Sequence, residues 1–557
     1  MQTSTDTRIR ALTDRGFWGQ DTLHGLLAER VAQEPHALAV ADQPDKMGLV
    51  GTPPARLSFS DLDIASSALA LQLLEVGVGP GSRIMVQLPN IVELVVCFYA
   101  ASKLGAIISP LPVQYGAHEI TQLSHTLQTT TFIGCSAFKG QPLIQTAKKV
   151  LPNLPVLAIG KDLDCLAESV TEDAARILAT YTRSLNDTAN RVLTVCWTSG
   201  TTGTPKGVPR SANMWLATAR ATAEAGGYQR GDRLLNPFPL VNMAAIGGFL
   251  FAAADLGCAL ILHHPLDPAI YLSQMQDEKI TFTIAPPILL NQLAAQPELW
   301  HKFDFSALRA VGSGSAPLSS DMIATFENDY QKPVINFYGS NEGLAFFATP
   351  ETVPSCEMRA EYFPRFGVPG LDWPGRCHHA VQSKVIDPDT GAEIDEPGAV
   401  GELCFAGATM FDGYFGAEAA GLFTDDGFFR SGDLVEISAA PTHYYRIVGR
   451  CKDIINRGGM KISPAELDAL IDRHPQVLEA AVCAYADEAL GERVRACVVP
   501  HDASQPPSLE ELCAFLMTEG LAKFKLPEQV CYLTVLPRNP MGKVLRGDLQ
   551  TSTEAPE

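Results

Sequence analysis

Residues 83–108 decide the fold class, and they read RIMVQLPNIVELVVCFYAASKLGAII. Arg83–Leu88 is a short apolar run ended by a Pro-Asn pair, which predicts a strand followed by a turn. Val92–Leu104 has the length and apolar content of a buried helix, and Gly105 suits a helix C-terminus. A second strand starts at Ala106. This strand–helix–strand unit predicts a parallel sheet with helices on both faces.

The alternation of strands and helices continues along the chain. The sequence pattern changes at Gly367 and again near residue 450. Further helices and strands are predicted at Ala212–Ala225, Arg233–Asn236, Ile280–Ala285, Ile288–Ala295 and Leu308–Val311. From Gly367 to Asp433 the sequence is rich in Gly and Pro, and short alternating runs at Val381–Ile386 and Gly401–Phe405 predict antiparallel strands. Beyond residue 450, the remaining stretch carries its own small pattern of helices and strands, enough for one small domain.

We therefore predict an α/β protein with two domains. Residues 1–450 form a large domain of parallel and mixed sheets with flanking helices and a small β-barrel-like subdomain. Residues 451–557 form a small C-terminal α+β domain.

Composition narrows the class of function. The chain has 557 residues and a net charge of −20, and such a negative field disfavours nucleic acid as a partner. Its 13 cysteines are scattered, with no C-x-x-C pair, which indicates reduced thiols. The polar N-terminus has no apolar core of signal-peptide length, and the most apolar stretch, Ile246–Leu262, predicts a buried helix followed by a strand. We expect a cytoplasmic protein without a transmembrane segment.

A loop rich in glycine and hydroxyl groups indicates the chemistry. Residues 194–207 read TVCWTSGTTGTPKG, an apolar strand followed by glycines, threonines and one lysine. Glycines let backbone N–H groups approach an anion, hydroxyls donate to phosphate oxygens, and Lys206 adds positive charge. Walker A requires Gly-Lys-Ser/Thr at the start of a helix, whereas here Pro205 precedes and Gly207 follows the lysine. The run predicts a phosphate-binding loop of a different type.

Five later runs, together with this loop, carry a resemblance to a known family. They read SGSAPL at 313–318, NFYGSNE at 336–342, RSGD at 430–433, YRIVGRCKDIINRGGMK at 445–461 and PRNPMGKV at 537–544. In sequence and order they resemble the motifs of the ANL superfamily of adenylate-forming enzymes, which includes acyl- and aryl-CoA synthetases, peptide-synthetase adenylation domains and firefly luciferase. The resemblance covers the chain from about Leu57 to Arg546.

The resemblance implies ATP and Mg²⁺ as ligands. Tyr338 would stack on adenine, Asp433 would accept the ribose hydroxyls, and Arg450 would reach the nucleotide. Glu342 would hold Mg²⁺, and Lys543 would bridge the attacking carboxylate and the α-phosphate, with Lys206 as the third catalytic residue. The remaining ATP-binding residues would be Thr198, Ser199, Gly200, Thr201, Thr202, Gly203, Gly314, Ser315, Ala316, Gly339 and Asn341. Asn341 departs from the family pattern, which has threonine there, although its amide can still donate to a phosphate oxygen.

The resemblance also implies a second half-reaction with CoA. Lys452 stands at the hinge about which the small domain would rotate, as a mobile lid. Gly458, Gly459 and Lys461 would line the route of the pantetheine thiol. A stand-alone enzyme that loads the phosphopantetheine of a carrier protein shares every motif and is the alternative. A luciferase-type oxygenase is less favoured, and a homodimer is left open.

One further segment bears on the identity of the acid. Residues 237–248 read PFPLVNMAAIGG and occupy the position of the family's acyl-pocket element, with Asn242 where histidine or an aromatic residue is common. The residues assigned to the acyl pocket are Asn242, Met243, Gly247, Ser313, Gly314 and Ser340. Small and adaptable side chains without a basic residue predict a hydrophobic acid: fatty, alicyclic, aromatic or steroid-derived.

Overall fold

The computed structural model describes residues 1–185, 189–198, 205–314, 317–416, 421–439, 441, 443–458, 460–487, 490–538 and 544–551. These residues divide into two compact units. The first unit comprises residues 1–198, 205–383 and the described part of 406–423. The second comprises residues 384–405 and the described part of 424–557. The predicted hinge at Lys452 lies inside the second unit, and both the hinge and the boundary at residue 450 stay predictions.

The stretch that predicted the fold forms the expected unit at the centre of a six-stranded sheet. Strand Arg83–Gln87, helix Val92–Leu104 and strand Ile107–Pro110 follow one another, and Arg83 pairs with Ile107 in parallel register. Gly105 ends the helix with φ 63°. The strands lie in the order Val156–Ala158, Thr131–Gly134, Arg83–Gln87, Ile107–Pro110, Val192–Trp197 and Gly207–Ser211, of which only the last runs antiparallel to its neighbour.

An eight-stranded sheet is the second layer of the first unit. Its order is Gly343–Ala348, Val334–Ser340, Ala310–Gly314, Phe282–Ile284, Arg233–Asn236, Ala259–Leu262, Leu38–Ala41 and Arg56–Ser58. The six inner strands run parallel, whereas the two edge strands run antiparallel to their neighbours. The inner strands are largely buried, as expected where helices cover both faces of a sheet.

Helices cover these sheets. They span Asp6–Asp14, Leu23–Gln33, Lys46–Val50, Phe59–Glu75, Val92–Leu104, Ala117–Leu127, Leu143–Val150, Glu172–Ser184, Ala212–Gly226, Met243–Ala245, Ala252–Leu256, Pro268–Asp277, Pro287–Ala295, Pro297–Trp300, Ser320–Asn328 and Cys356–Glu361. A π-helix at Ile246–Phe251 joins two of them, a short strand lies at Tyr362–Pro364 and a 3₁₀ turn at Cys377–His379. The apolar stretch 246–262 is thus helix followed by strand, as predicted. None of the described helices has the length and apolarity to cross a membrane.

The second unit begins with the antiparallel strands predicted from the Gly- and Pro-rich region. These are Val381–Ile386, Glu393–Ile394, Val400–Gly407, Phe429–Ile437 and Tyr444–Arg450, the first and third of which extend into the first unit. Gly401 pairs with Val435, and Asp433 pairs with Arg450.

The C-terminal part of the second unit is an α+β arrangement. Its strands are Ile455–Arg457, Met460–Ile462, Val477–Asp487, Gly491–Pro500 and Gln529–Tyr532; its helices are Pro464–Ile471, Leu509–Thr518 and Arg546–Thr551, with a 3₁₀ turn at Lys523–Lys525. Leu467 of the first helix, Val482 of the long strand and Leu512 of the second helix share one buried apolar core. The predicted fold class, α/β with a smaller C-terminal α+β domain, is confirmed.

Candidate functional site

The predicted phosphate loop begins and ends in a β-hairpin. The Thr198 N–H donates to the Lys206 carbonyl at 3.0 Å, and the Lys206 N–H donates to Thr198 Oγ1 at 3.3 Å. After Lys206 the chain enters strand Gly207–Ser211 rather than a helix, as expected for a loop that is not Walker A. The loop residues Ser199, Gly200, Thr201, Thr202 and Gly203 lie outside the described residues.

Two parallel strands of the eight-stranded sheet end at the predicted adenine and acyl-pocket residues. Ser313 is fully buried, and its hydroxyl donates to the Ala285 carbonyl at 2.9 Å, just beyond the neighbouring strand. A Cβ on Gly314 would lie 2.3 Å from the Phe337 carbonyl oxygen, so close approach of the two backbones requires glycine here. Carboxyl ends of adjacent parallel strands are the usual place for ligands in such sheets. Ser315 and Ala316 lie outside the described residues.

Tyr338 is oriented by other aromatic rings. Its ring stacks on Phe346 with centroids 5.9 Å apart and planes at 19°, and Phe363 packs beside it at 5.9 Å. The phenol is half-buried, and Gly339 and Ser340, which follow it, are exposed. A ring fixed in this way offers a flat apolar surface, as the predicted stacking role requires.

Glu342 and Lys206, two of the three predicted catalytic residues, both contact Tyr414. The Glu342 side chain is 8% exposed, and its Oε1 accepts a hydrogen bond of 2.7 Å from the Tyr414 hydroxyl. Lys206 Nζ lies 4.8 Å from the centroid of the same ring. Tyr414 was not identified from the sequence. Its partners Glu342 and Lys206 lie 72 or more positions earlier in the chain, and only the fold brings the three residues together. The third predicted catalytic residue, Lys543, lies outside the described residues.

Arg210 is a second residue that the sequence did not single out. Its side chain is fully buried and donates to the Asn341 carbonyl at 3.0 Å and to the Thr409 carbonyl at 2.7 Å. Its guanidinium lies 4.3 Å from the centroid of the Trp215 ring. Burial lowers the pKa of Arg210 to about 10, so the group stays charged at neutral pH. It therefore places a buried positive charge next to the backbone that carries Glu342.

The side-chain amides of Asn341 and Asn242 form hydrogen bonds with backbone groups. Asn341 Oδ1 accepts from the Met243 N–H at 2.9 Å, and its Nδ2 donates to the Trp197 carbonyl at 3.0 Å. Asn242 is buried and caps the helix that starts at Met243, accepting from the Ala245 N–H at 3.1 Å. These contacts join the predicted acyl-pocket segment to the strand that leads into the phosphate loop.

Gly247 lies where the π-helix packs on helix Ala212–Gly226. A Cβ on Gly247 would lie 2.6 Å from Thr218 Cγ2 and 3.3 Å from the Trp215 ring, so the missing side chain permits close contact between the two helices. Met243, which lies earlier in the same segment than Gly247, has a buried side chain. The assignment of Asn242, Met243 and Gly247 to the acyl pocket stays a prediction.

The second unit holds the predicted ribose site. Arg450 Nε lies 2.6 Å from Asp433 Oδ1 across the paired strands. The part of strand Phe429–Ile437 that precedes Asp433 is anchored by the buried Glu402, which accepts from the Gly432 N–H at 3.1 Å and from Arg430 Nε at 2.9 Å. This pair of a carboxylate and a guanidinium can present both acceptor and donor groups to a nucleotide.

The predicted hinge and thiol route lie further along the second unit. Lys452 is exposed, in a turn closed by the Asp453 N–H, which donates to the Arg450 carbonyl at 3.1 Å. Gly458 has φ 57°, a backbone conformation that favours glycine, at the tip of a hairpin. Gly459 and the side chain of Lys461 lie outside the described residues.

Known proteins resemble this chain along most of its length. The family model described as AMP-binding enzyme matches residues 27–415, and that of the AMP-binding enzyme C-terminal domain matches residues 466–543. The medium-chain fatty-acid–CoA ligase of Escherichia coli (strain K12) is 30% identical over 552 residues, covering 97% of this chain and 92% of the relative. Pyochelin synthase PchD of Pseudomonas aeruginosa (strain UCBPP-PA14) is 29% identical over 552 residues, covering 97% and 94%. The crystal structure of ATP-bound MatB from Rhodopseudomonas palustris has a TM-score of 0.76 at 25% identity, covering 96% of this chain and 98% of that chain.

Proposed function

This chain belongs to the AMP-binding enzyme family, part of the ANL superfamily of adenylate-forming enzymes, and we propose that it is an ATP-dependent carboxylic acid:CoA ligase. The acid and ATP give an acyl-adenylate and pyrophosphate, and the CoA thiol then displaces AMP to give the thioester. The arrangement of Glu342 and Lys206 around Tyr414 carries the proposal, because it supplies a buried carboxylate and a cation beside the phosphate loop. A relative that is itself a CoA ligase supports the choice of acceptor.

The charges of the reactants define what the residues must do. A carboxylate that attacks the α-phosphate brings two anions together, so the site must offset negative charge. Lys206 and the hydroxyls of the loop hold the β- and γ-phosphates, and Lys543 holds the carboxylate in line with the α-phosphate.

Glu342 fits a divalent cation, since a carboxylate oxygen is the type of ligand that Mg²⁺ prefers and Tyr414 orients it. When bound, Mg²⁺ would neutralise the phosphate charge. Asp433 and Arg450 bind the ribose end of the nucleotide. Rotation of the small domain about Lys452 then withdraws Lys543 and brings Gly458 towards the thiol's path, as a gating step between the half-reactions.

The proposed acid is hydrophobic. The segment from Asn242 to Gly248 contains no basic residue that would pair with a second carboxylate. The fatty-acid ligase among the relatives supports the same choice. A second function, loading of a carrier protein's phosphopantetheine, is kept because a relative named as a pyochelin synthase is nearly as similar over the same length.

One assay tests both functions. The purified chain is incubated with Mg·ATP and octanoate, cyclohexanecarboxylate, benzoate, cholate, acetate or malonate, and AMP is quantified with CoA or with a holo-carrier protein as acceptor. We expect AMP and an acyl-CoA from at least one hydrophobic acid, and no AMP from Glu342→Ala. AMP release that needs the holo-carrier would favour the second function. Turnover of acetate or malonate alone would refute the hydrophobic pocket, and no adenylation of any acid would refute the proposal.

A further inference from the structure

Asn341 joins three segments that have different tasks in the proposed reaction. Asn341 follows the end of strand Val334–Ser340 and directly precedes Glu342. Its Nδ2 donates to the carbonyl of Trp197, the residue before Thr198, where the phosphate loop begins. Its Oδ1 accepts from the N–H of Met243, the first residue of a short helix. Met243 belongs to residues 237–248, the predicted acyl-pocket element, which we call the acid-side segment. One side chain thus links the nucleotide side to the acid side at 3.0 and 2.9 Å.

Both partners of Asn341 belong to well-anchored backbone. Thr198, next to Trp197, is tied to Lys206 by two hydrogen bonds. The acid-side segment is held from its other end by Asn90, which donates to the Phe238 carbonyl at 2.8 Å and accepts from the Leu240 N–H at 2.9 Å. Because both segments are anchored, a displacement of one is passed to the other through the Asn341 amide and is not taken up by flexible backbone.

We infer that Asn341 is a positioning residue that makes binding of the acid and binding of ATP cooperative; the inference rests on the proposed function. An acid that orders the helix start at Met243 also orders the Trp197 carbonyl, and with it the entry of the phosphate loop. By thermodynamic linkage, ATP must tighten binding of the acid by the same factor. Couplings of this kind amount to about fivefold or more in affinity.

An amide is suited to this task and a threonine is not. The amide presents an acceptor and a donor on separate atoms, so it spans Met243 and Trp197. A threonine hydroxyl presents both functions on a single atom closer to the backbone. Asn341→Thr would therefore keep a hydroxyl that can contact phosphate and lose the link. This variant separates a role as a link from a role as a phosphate contact.

Binding without chemistry measures the coupling directly. α,β-Methylene-ATP cannot be cleaved between its α- and β-phosphates, so its dissociation constant can be determined by calorimetry with and without the panel acid of highest turnover. For the wild type we expect the acid to tighten binding about fivefold or more. For Asn341→Thr, which keeps a hydroxyl that can contact phosphate, we expect acid-free binding to stay measurable and the coupling factor to fall to about one. For Asn341→Ala we expect the same loss of coupling.

Asn336→Ala is the matched control. Asn336 lies on strand Val334–Ser340, which ends just before Asn341. It is buried and donates to the Arg359 and Ala360 carbonyls at 3.0 and 3.2 Å, neither of which belongs to the acid-side segment. Asn336→Ala removes two side-chain hydrogen bonds, as Asn341→Ala does. We therefore expect Asn336→Ala to lower thermal stability and to retain the coupling factor. Coupling retained in Asn341→Thr, coupling absent in the wild type, or coupling lost equally in Asn336→Ala would each overturn the inference. Loss of acid-free nucleotide binding in Asn341→Thr would also overturn it. Failure of the proposed function is recognised separately, because then no acid of the panel yields AMP.

Discussion

The Tyr414 hydroxyl donates to the Glu342 carboxylate at 2.7 Å. Glu342 is the carboxylate proposed to hold Mg²⁺, and the same tyrosine ring lies 4.8 Å below Lys206 Nζ. Tyr414 therefore has two separable contacts, a hydrogen bond through its hydroxyl and a cation–π contact through its ring. Substitutions can remove the first alone or both together.

Tyr414→Phe should weaken metal binding selectively. The change removes the hydrogen bond that orients Glu342 and keeps the ring under Lys206. Loss of such a partner to a metal-binding group costs about tenfold or more in metal affinity. We expect the Mg²⁺ concentration for half-maximal adenylation to rise about tenfold, with little change in the KM for ATP at saturating Mg²⁺, as measured by pyrophosphate release.

Tyr414→Leu is the paired variant, since it also removes the ring. We expect the same Mg²⁺ effect together with an increased KM for ATP, because Lys206 loses its aromatic neighbour. An unchanged Mg²⁺ requirement in Tyr414→Phe would exclude a role for this hydrogen bond in metal binding.

Local sequence predicted the repeating elements well, because their signals are local. Helix Val92–Leu104 is a continuous apolar run that ends at Gly105, where φ is 63°, and both features can be read without the fold. Strand Arg83–Gln87 is likewise marked by its β-branched and apolar residues and the turn that follows. Pro205 and Gly207 do not suit a helix start, and the sequence therefore indicated that the loop does not lead into a helix. The hairpin that the chain forms instead was not predicted.

The contacts of the site could not be predicted, because they are non-local. Arg210 stands in an ordinary strand sequence, and only the fold shows that it is buried beside the Asn341 carbonyl. The π-helix Ile246–Phe251 has no local signature that separates it from an α-helix. The second bond of Asn341, to Met243, connects residues 98 positions apart.

Lys543→Ala should separate the two half-reactions. Lys543 is proposed to stabilise the carboxylate and α-phosphate during adenylation, and it has no part in attack by the thiol. We expect a loss of ATP–pyrophosphate exchange of about a hundredfold or more, the size seen when one electrostatic contact to a transition state is removed. Thioester formation from a preformed acyl-adenylate should stay close to wild type. Near-normal exchange in this variant would contradict the assignment.

His264 should contribute to loss of stability in mild acid. It is 7% exposed, and burial lowers the pKa of its imidazole to about 4, below the ordinary value of 6.5. The unfolded chain therefore binds a proton below pH 6.5, whereas the folded chain does so only near pH 4, and stability falls as pH falls through this window. Between pH 7 and pH 5 the loss is about 2 kcal/mol for a group with this shift.

His264→Leu should flatten this dependence. Urea unfolding of the variant and the wild type at pH 7 and pH 5 would show a smaller difference in the variant by about 2 kcal/mol. An equal pH dependence in both proteins would show that other groups cause the acid destabilisation.

Gly247→Ala should destabilise the first unit through one identifiable contact. The new Cβ would lie 2.6 Å from Thr218 Cγ2, closer than carbon atoms pack, in a fully buried interface. Overpacking of this kind costs about 1–3 kcal/mol. The reference variant is Gly48→Ala, whose Cβ would meet no atom within 4 Å and should be neutral or slightly stabilising.

Thr218→Ser provides the compensating change, because it deletes Cγ2 and keeps the hydroxyl. That hydroxyl accepts from Arg210 at 2.9 Å and donates to the Met214 carbonyl at 3.0 Å, so both hydrogen bonds are retained. We expect the double variant to recover most of the stability lost in Gly247→Ala, measured by chemical unfolding as a double-mutant cycle. Additive losses in the double variant would show that the steric contact with Thr218 is not the cause.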